Sequence, residues 1–94
     1  MFVVTLTYLK PLSEVDKNLP AHRDYLKKQY QQNLFLASGP MNPRSGGIII
    51  VRSMEKSKLF EILEQDPFKK NGVASYEVVE FEPALHAEAI KDHV

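Results

Sequence analysis

The sequence predicts a small α+β domain whose strands and helices follow one another in the order βαββαβ. Three observations support this order: four short runs of β-branched or aromatic residues, two segments with apolar residues at helical spacing, and turn residues where these segments join. The chain has 94 residues, which is enough for one domain. The predicted plan is the split βαβ, or ferredoxin-like, arrangement, a four-stranded antiparallel sheet with both long helices on one face.

The first strand and the first helix open the chain. Residues 2–9 (FVVTLTYL) are predicted to be a strand, because β-branched and aromatic residues fill both of its faces. Residues 10–18 are polar, contain a proline, and are predicted to be a connection with at most one helical turn. The first long helix is then expected to begin near Pro20, since proline is tolerated in a first turn. This prediction places His22 early in that helix.

The middle of the chain is predicted to be a pair of strands joined by a turn. Residues 34–38 form the second strand, which ends at Gly39-Pro40. Residues 41–47 (MNPRSGG) are predicted to be the turn, since they contain a proline and two glycines. Residues 48–51 (IIIV) are an uninterrupted β-branched run and form the third strand.

The last third of the chain supplies the second helix and the fourth strand. Residues 54–65 have apolar side chains at helical spacing, and this helix is expected to stop before Asp66-Pro67, because the residue before a proline disfavours the helical conformation. Residues 73–81 are the fourth strand. Residues 83–94 are predicted to be a short helical tail of the single domain, which spans residues 1–94.

One face of the predicted sheet has no long helix to cover it, although the strands are apolar on both faces. The fourth strand, for example, places Val79 and Phe81 opposite Tyr76 and Val78. Fully apolar strands are normally buried on both sides, and a large exposed apolar face is unusual in a monomer. The simplest cover is a second copy packed sheet to sheet, and the alternative is that the C-terminal tail folds back over that face. We predict a homodimer.

Composition and charge narrow the classes of function. The chain has no cysteine, which excludes disulfides, thiol chemistry and cysteine-ligated zinc. The apolar run at the N-terminus has only eight residues, too few for a membrane span. It also lacks the preceding basic segment and the small-residue cleavage site of a signal peptide, and we expect a cytoplasmic protein. Basic and acidic residues number 12 each, which argues against binding of nucleic acid or an anionic membrane.

A metal centre is not predicted. His86 and His93 are seven residues apart and would lie about 10.5 Å apart along a helix axis. This separation is too large for one ion with bonds of about 2 Å to each ring. We expect no metal and no cofactor.

Three short segments contain the candidate site residues. His22 begins HRDYL, Ser38-Gly39-Pro40 end LFLASGP, and Asp66 begins DPFKKNGV. Each has an ordinary structural interpretation when taken alone: a surface histidine, the end of a strand, and the end of a helix. In this order and spacing, followed by the strand YEVVEF, they resemble the YciI-like (YCII-related) family of small ferredoxin-like proteins. The resemblance covers nearly the whole chain.

The resemblance implies both an assembly and a chemistry. It implies a homodimer packed sheet against sheet, related in architecture to muconolactone isomerases and small dimeric monooxygenases. It also implies a site centred on a histidine–aspartate pair, here His22 and Asp66, with metal-free proton-transfer or elimination chemistry on small ring compounds. The family pattern often has a leucine where this chain has Arg23, and a longer loop than MNPRSGG. A substrate preference is therefore not carried over.

A histidine–aspartate pair is suited to general acid–base catalysis. Imidazole has an unperturbed pKa of about 6.5, and a carboxylate that accepts from one ring nitrogen stabilises the imidazolium formed when the other nitrogen takes a proton. We expect His22 to take a proton from a carbon beside a carbonyl group or from a phenol, with Asp66 as its partner. Ser38 and the backbone N–H groups around Gly39 would stabilise an oxyanion, and Arg44 would bind a substrate carboxylate.

Two questions stay open from the sequence. The predicted helices place His22 near the start of one and Asp66 at the end of the other, and ten helical residues span about 15 Å. The two side chains could meet through a chain reversal at Asp66, across a dimer, or not at all. Two classes of function also remain: a cofactor-free enzyme for proton abstraction, elimination or isomerisation on a small carbonyl or ring compound, and a non-catalytic dimeric domain that binds a small ligand or regulates.

Overall fold

The computed structural model describes residues 1–94 and has the predicted order of elements. These elements are β1 (Phe2–Tyr8), α1 (Leu12–Gln31), β2 (Phe35–Pro40), β3 (Gly46–Val51), α2 (Lys56–Leu63), α3 (Pro67–Lys70), β4 (Ala74–Glu80) and a C-terminal 3₁₀ helix (Glu88–His93). The strand order in the sheet is β2-β3-β1-β4, and all neighbouring strands are antiparallel. The predicted α+β, ferredoxin-like fold class is confirmed. None of the helices is long and apolar enough to cross a membrane.

The hydrophobic core lies between one face of the sheet and the helices. Along β1, the side chains of Phe2, Val4 and Leu6 are buried, and the residues between them are less so. Residues from the other elements complete the core: Val15, Tyr25, Phe35, Ile49, Val51, Leu59, Leu63, Phe68, Val73 and Ala74. Burying one such large side chain contributes about 1.5–3 kcal/mol, so packing rather than local preference decides where the helices form.

Helix α1 begins at Leu12, and the prediction of a connection over residues 10–18 is wrong. Pro20 lies inside the helix, where a proline lacks the N–H donor and is unfavourable by about 3 kcal/mol relative to alanine. The helix continues through this position because Val15, in the earlier part, is fully buried in the core. His22 consequently lies in the middle of a 20-residue helix instead of its first turn.

The Asp66-Pro67 segment begins a helix as well as following one. Helix α2 ends at Leu63, and the one-turn helix α3 starts at Pro67. The carboxylate of Asp66 accepts a hydrogen bond from the N–H of Phe68 at 3.0 Å and so caps α3, while proline suits a first helical position. The helix predicted over residues 54–65 is therefore shorter, and a second helix follows it.

Strands β2 and β3 extend further toward their connecting turn than predicted. Gly46 and Gly47 belong to β3, where they pair with Thr7 and Leu6 of β1. A Cβ atom on Gly46 would lie 1.8 Å from the backbone oxygen of Leu6, so only glycine allows this approach of the two strands. Gly46 is thus a packing requirement of the sheet, and the turn itself is shorter than predicted.

The C-terminal tail is helical only over Glu88–His93, as a 3₁₀ helix, and not from residue 83 as predicted. The N–H of Ser53 donates to the carbonyl of His93, and the guanidinium of Arg52 donates to the carbonyl of Asp92 at 2.7 Å. The ring of His93 is also hydrogen bonded to the side chain of Asn33 at 2.7 Å. These contacts hold the tail at the end of the sheet where β3 ends and β2 begins.

We call the sheet face opposite α1 and α2 the open face. Ala37, Ile50, Val3 and Val79 are side by side across all four strands on this face. Val79 is 57% exposed. Two residues further along β4 on the same face is Glu77, which pairs with Thr5 of β1. The apolar part of the open face is therefore limited to the half of the sheet where β1 begins.

Candidate functional site

His22 and Asp66 are in direct contact within one chain. The Nδ1 atom of His22 lies 2.7 Å from Oδ1 of Asp66. The contact is possible because α1 is longer than predicted and the chain reverses after α2, so that the start of α3 packs against the middle of α1. The distance objection raised by the sequence does not apply, and the pair needs no residue from a second subunit.

Asp66 is fully buried and accepts hydrogen bonds from three elements. Its Oδ1 accepts from Nδ1 of His22 and from the N–H of Phe68, and its Oδ2 accepts from the hydroxyl of Tyr76 at 2.5 Å. A carboxylate in this position is an acceptor only, so the proton of a neutral imidazole is on Nδ1. The other ring nitrogen, Nε2, is left as the acceptor available to a ligand.

Two tyrosines, the buried Tyr25 and the half-buried Tyr76, lie beside the pair and remain protonated donors. Burial, together with the negative charge of Asp66, raises the pKa of both Tyr25 and Tyr76 well above the usual value of 10.0. The hydroxyl of Tyr25 donates to the carbonyl of Ile62 at 2.8 Å, whereas that of Tyr76 donates to Asp66. Of these two tyrosines, therefore, only Tyr76 is hydrogen bonded to the carboxylate of Asp66.

The orientation of the His22 ring is fixed by stacking. The ring of Phe68 lies parallel to it, with an interplanar angle of 1° and ring centroids 3.9 Å apart. Phe68 is itself buried and packs its ring edge to face with that of Tyr8 at 6.2 Å. Because the hydrogen bond to Asp66 and this stack act on the same ring, His22 has little freedom to turn.

A cavity of about 360 Å³ lies next to His22, between α1 and the β2-β3-β1 part of the sheet. Its apolar walls come from Leu6, Tyr8, Leu19, Leu26, Ile48, Ile49 and Phe68. Gly47, opposite Leu6, also lines the cavity and has no side chain to fill it. A cavity of about 150 Å³ accommodates benzene, so this one has room for a substituted single ring.

The predicted substrate-binding residues all line this cavity together with His22. Ser38, Gly39 and Pro40 contribute from β2, and Arg44 contributes from the β2–β3 turn. The hydroxyl of Ser38 is hydrogen bonded to that of Tyr30, 2.5 Å away. Asp66 is not part of the cavity wall, so it can act on a ligand only through His22.

Arg44 is held by side chains of two other elements. Its Nη2 donates to Oδ1 of Asp16 at 2.6 Å, and its guanidinium lies 5.9 Å from the ring centroid of Tyr8. Hydrogen bonding to Asp16, and then to Tyr8, raises the pKa of Arg44, which is a permanent cation in any case. The residue is therefore a fixed positive charge at the cavity.

Four further residues belong to the site and were not singled out from the sequence. Tyr8 and Arg23 line the cavity, Phe68 stacks on His22, and Tyr76 donates to Asp66. The alternation along β4 does place Tyr76 on the inner face, where a buried hydroxyl needs an acceptor. The sequence does not indicate which acceptor. No group of three or more histidine, aspartate or glutamate side chains that could hold a metal ion is present in the chain.

The fold and the site define a class: a ferredoxin-like α+β protein with a buried histidine–aspartate pair at a cavity between helix and sheet. The model of the YCII-related domain matches residues 1–82, and the chain belongs to this family. No curated protein sequence matches the chain.

A solved structure shares the fold. It is 5-chloro-2-hydroxyhydroquinone dehydrochlorinase (TftG) from Burkholderia phenoliruptrix, in complex with 2,5-dihydroxybenzoquinone. The TM-score is 0.71, with 20% sequence identity over 87% of this chain and 94% of that chain. At this identity, the similarity shows a common fold.

Proposed function

We propose that this protein is a cofactor-free enzyme that transfers a proton on a small carbonyl or ring compound, with His22 as the general base. The observation that carries the proposal is the 2.7 Å contact between His22 and the buried Asp66 at the wall of a cavity of about 360 Å³. A buried ion-pairing partner behind a histidine that faces a cavity is the arrangement that general acid–base catalysis needs.

The proposed step begins at Nε2 of His22. This atom takes a proton from a carbon beside a carbonyl group, or from a phenolic hydroxyl, and the electron pair stays on the substrate as an enolate or phenolate. The ring becomes an imidazolium, which the charge of Asp66 stabilises through Nδ1–H. The imidazolium then returns the proton to another atom of the substrate, which gives an isomerisation, or to a departing group, which gives an elimination.

The remaining cavity residues are proposed to bind the substrate. Ser38 and Gly39 line the cavity, and the hydroxyl of Ser38 and the backbone N–H groups around Ser38-Gly39 would stabilise a developing oxyanion. Arg44, fixed by Asp16, would bind an anionic substituent. An enzyme of the same fold that was solved with 2,5-dihydroxybenzoquinone supports an oxygenated six-membered ring as the substrate class. We further propose that the active species is a homodimer packed through the open face.

Proton exchange tests the proposal without knowledge of the complete reaction. The purified protein is incubated in D₂O with 2,5-dihydroxybenzoquinone, small lactones and keto acids, and NMR follows the loss of exchangeable C–H signals. For an exchange that the wild-type protein catalyses, we expect the rate in His22→Gln to be lower by about 10²–10⁴-fold. The substitution removes the base, whereas glutamine keeps roughly the size of the histidine side chain. His86→Gln is the matched control, because His86 is exposed and its ring contacts only a neighbouring carbonyl.

The same measurement separates the two classes of function. Exchange that persists in His22→Gln at the wild-type rate would contradict the proposed base. Binding of a ring compound in the cavity, with no exchange in the wild-type protein for any compound, would favour a non-catalytic ligand-binding domain.

A further inference from the structure

We propose that Tyr76 of β4 is a positioning residue for the pair: by donating to Oδ2 of Asp66, it holds the carboxylate with Oδ1 toward His22. This inference deepens the proposed function. It rests on that function in one respect, because it takes His22 to be the group that reacts with the substrate. Tyr76 does not line the cavity, and its hydroxyl acts on a substrate only through the other two side chains.

The two oxygens of Asp66 have different partners, and this asymmetry gives Tyr76 its role. Oδ1 is shared by the ring of His22 and the N–H of Phe68, whereas the hydroxyl of Tyr76 is the partner of Oδ2. Without that hydroxyl, Oδ2 is a buried charged atom with no donor, which is strongly unfavourable. The carboxylate then has fewer contacts to fix its rotation, so its hydrogen bond with the ring of His22 is held less firmly.

Tyr25 provides an internal comparison. Like Tyr76, it lies near Asp66 and has a hydroxyl that donates a hydrogen bond. Its acceptor is the backbone carbonyl of Ile62, so removal of its hydroxyl leaves the contacts of Asp66 in place. A comparison of Tyr25→Phe with Tyr76→Phe therefore distinguishes two effects. Both variants lose a tyrosine hydroxyl, but only Tyr76→Phe loses a contact to the carboxylate of Asp66.

Other charged or titratable groups surround the pair, and none of them is hydrogen bonded to Asp66. They are Arg23 and Tyr25 of α1, Tyr8 of β1, Arg44 of the β2–β3 turn and Lys69 of α3. The ammonium group of Lys69 lies 5.3 Å from the ring centroid of Tyr76 and 3.4 Å from a carboxylate oxygen of Glu64. Tyr76→Phe keeps the ring and these neighbours and removes only the hydroxyl.

NMR of the Nδ1–H proton of His22 in the unliganded protein tests the proposal. In Tyr76→Phe, we expect this proton to exchange with water about 3–10-fold faster than in the wild-type protein, because the carboxylate that accepts its hydrogen bond is no longer held in one rotation. Tyr25→Phe is expected to leave the exchange rate of this proton at its wild-type value, since the contacts of Asp66 stay in place. An unchanged rate in Tyr76→Phe, or an equal increase in both variants, would overturn the proposal.

A second measurement uses the wild-type protein and so does not depend on a variant that folds. The hydroxyl proton of Tyr76 should give its own NMR signal and exchange slowly with water, because it is held in a short hydrogen bond to the buried carboxylate of Asp66. Exchange as fast as that of an exposed tyrosine would overturn the inference. Neither measurement requires turnover. Faster exchange of the His22 Nδ1–H proton in Tyr76→Phe, without proton exchange on any substrate, removes the proposed function alone. Catalysis by the wild-type protein without that faster exchange in Tyr76→Phe removes this inference alone.

Discussion

At the scale of single residues, the most demanding feature of the molecule is the buried carboxylate of Asp66. A buried charge is unfavourable unless its hydrogen-bond capacity is filled, and donors from α1, α3 and β4 fill it. The same contacts orient His22. The arrangement thus connects the stability of the fold to the geometry of the site, since a change that disturbs one also disturbs the other.

Replacement of Asp66 by asparagine should destabilise the protein strongly. The amide keeps the shape, but it removes the charge and places an N–H₂ group next to a donor, either the ring N–H of His22 or the hydroxyl of Tyr76. We expect the free energy of unfolding in urea to fall by about 2–4 kcal/mol. Asp24→Asn, on the exposed side of α1, should change it by less than about 0.5 kcal/mol. Equal effects of the two substitutions would contradict the conclusion that the fold depends on the buried, hydrogen-bonded charge of Asp66.

The sequence identifies the members of the pair but not their contact. The resemblance to the YCII-related family indicates His22 and Asp66, and their residue types explain what the pair can do. Whether they meet depends on where α1 begins and on the reversal at α3, and both are decided by burial of Val15 and Phe68 in the core. The contribution of Tyr76 also depends on tertiary structure, because a tyrosine on the inner face of a strand has several potential acceptors.

At the scale of the elements, glycines and prolines act through their neighbours in space. From the sequence, Pro20 is predicted to lie in the first turn of a helix and Gly46 in a turn. In the structure, Pro20 is inside α1 and Gly46 is inside β3. Both interpretations followed local preferences, which were overridden by packing of the helix on the core and by the close approach of β1 to β3. The order of the elements was predictable because the apolar periodicity sets it.

An alanine at Gly46 should weaken the pairing of β1 with β3. The new Cβ atom would lie 1.8 Å from the backbone oxygen of Leu6, so the two strands must move apart. We expect a loss of about 1–3 kcal/mol in the free energy of unfolding, measured by denaturant titration. Gly39→Ala is the matched control, since a Cβ there has nothing within 4 Å. A Gly46→Ala protein as stable as the control would show that the strands do not approach as closely as described.

At the scale of the whole molecule, the two faces of the sheet are covered differently. The inner face is buried by α1, α2 and α3, whereas the open face has an apolar row that runs across all four strands through Val3 and Ile50. The apolar composition of both faces was visible in the sequence, and it motivated the proposed homodimer. The C-terminal tail, the alternative cover, makes its hydrogen bonds at the end of the sheet, to Arg52 and Ser53.

A charge placed in the apolar row tests the proposed homodimer. Val79 is 57% exposed at one end of this row, and in a sheet-to-sheet dimer its side chain would be buried. A glutamate there would have to lose its hydration without a partner, which costs several kcal/mol. We expect light scattering after size exclusion to give twice the chain mass for the wild-type protein and a single chain mass for Val79→Glu.

Phe60→Glu provides the matched control for this test. Phe60 is also apolar and 46% exposed, but it lies on α2, on the other side of the sheet. We expect this variant to keep twice the chain mass, because its new charge stays in water. A wild-type protein that has a single chain mass at every concentration would contradict the homodimer. Dissociation by both substitutions would instead show that any added negative charge separates the subunits, and would remove the open face as the specific interface.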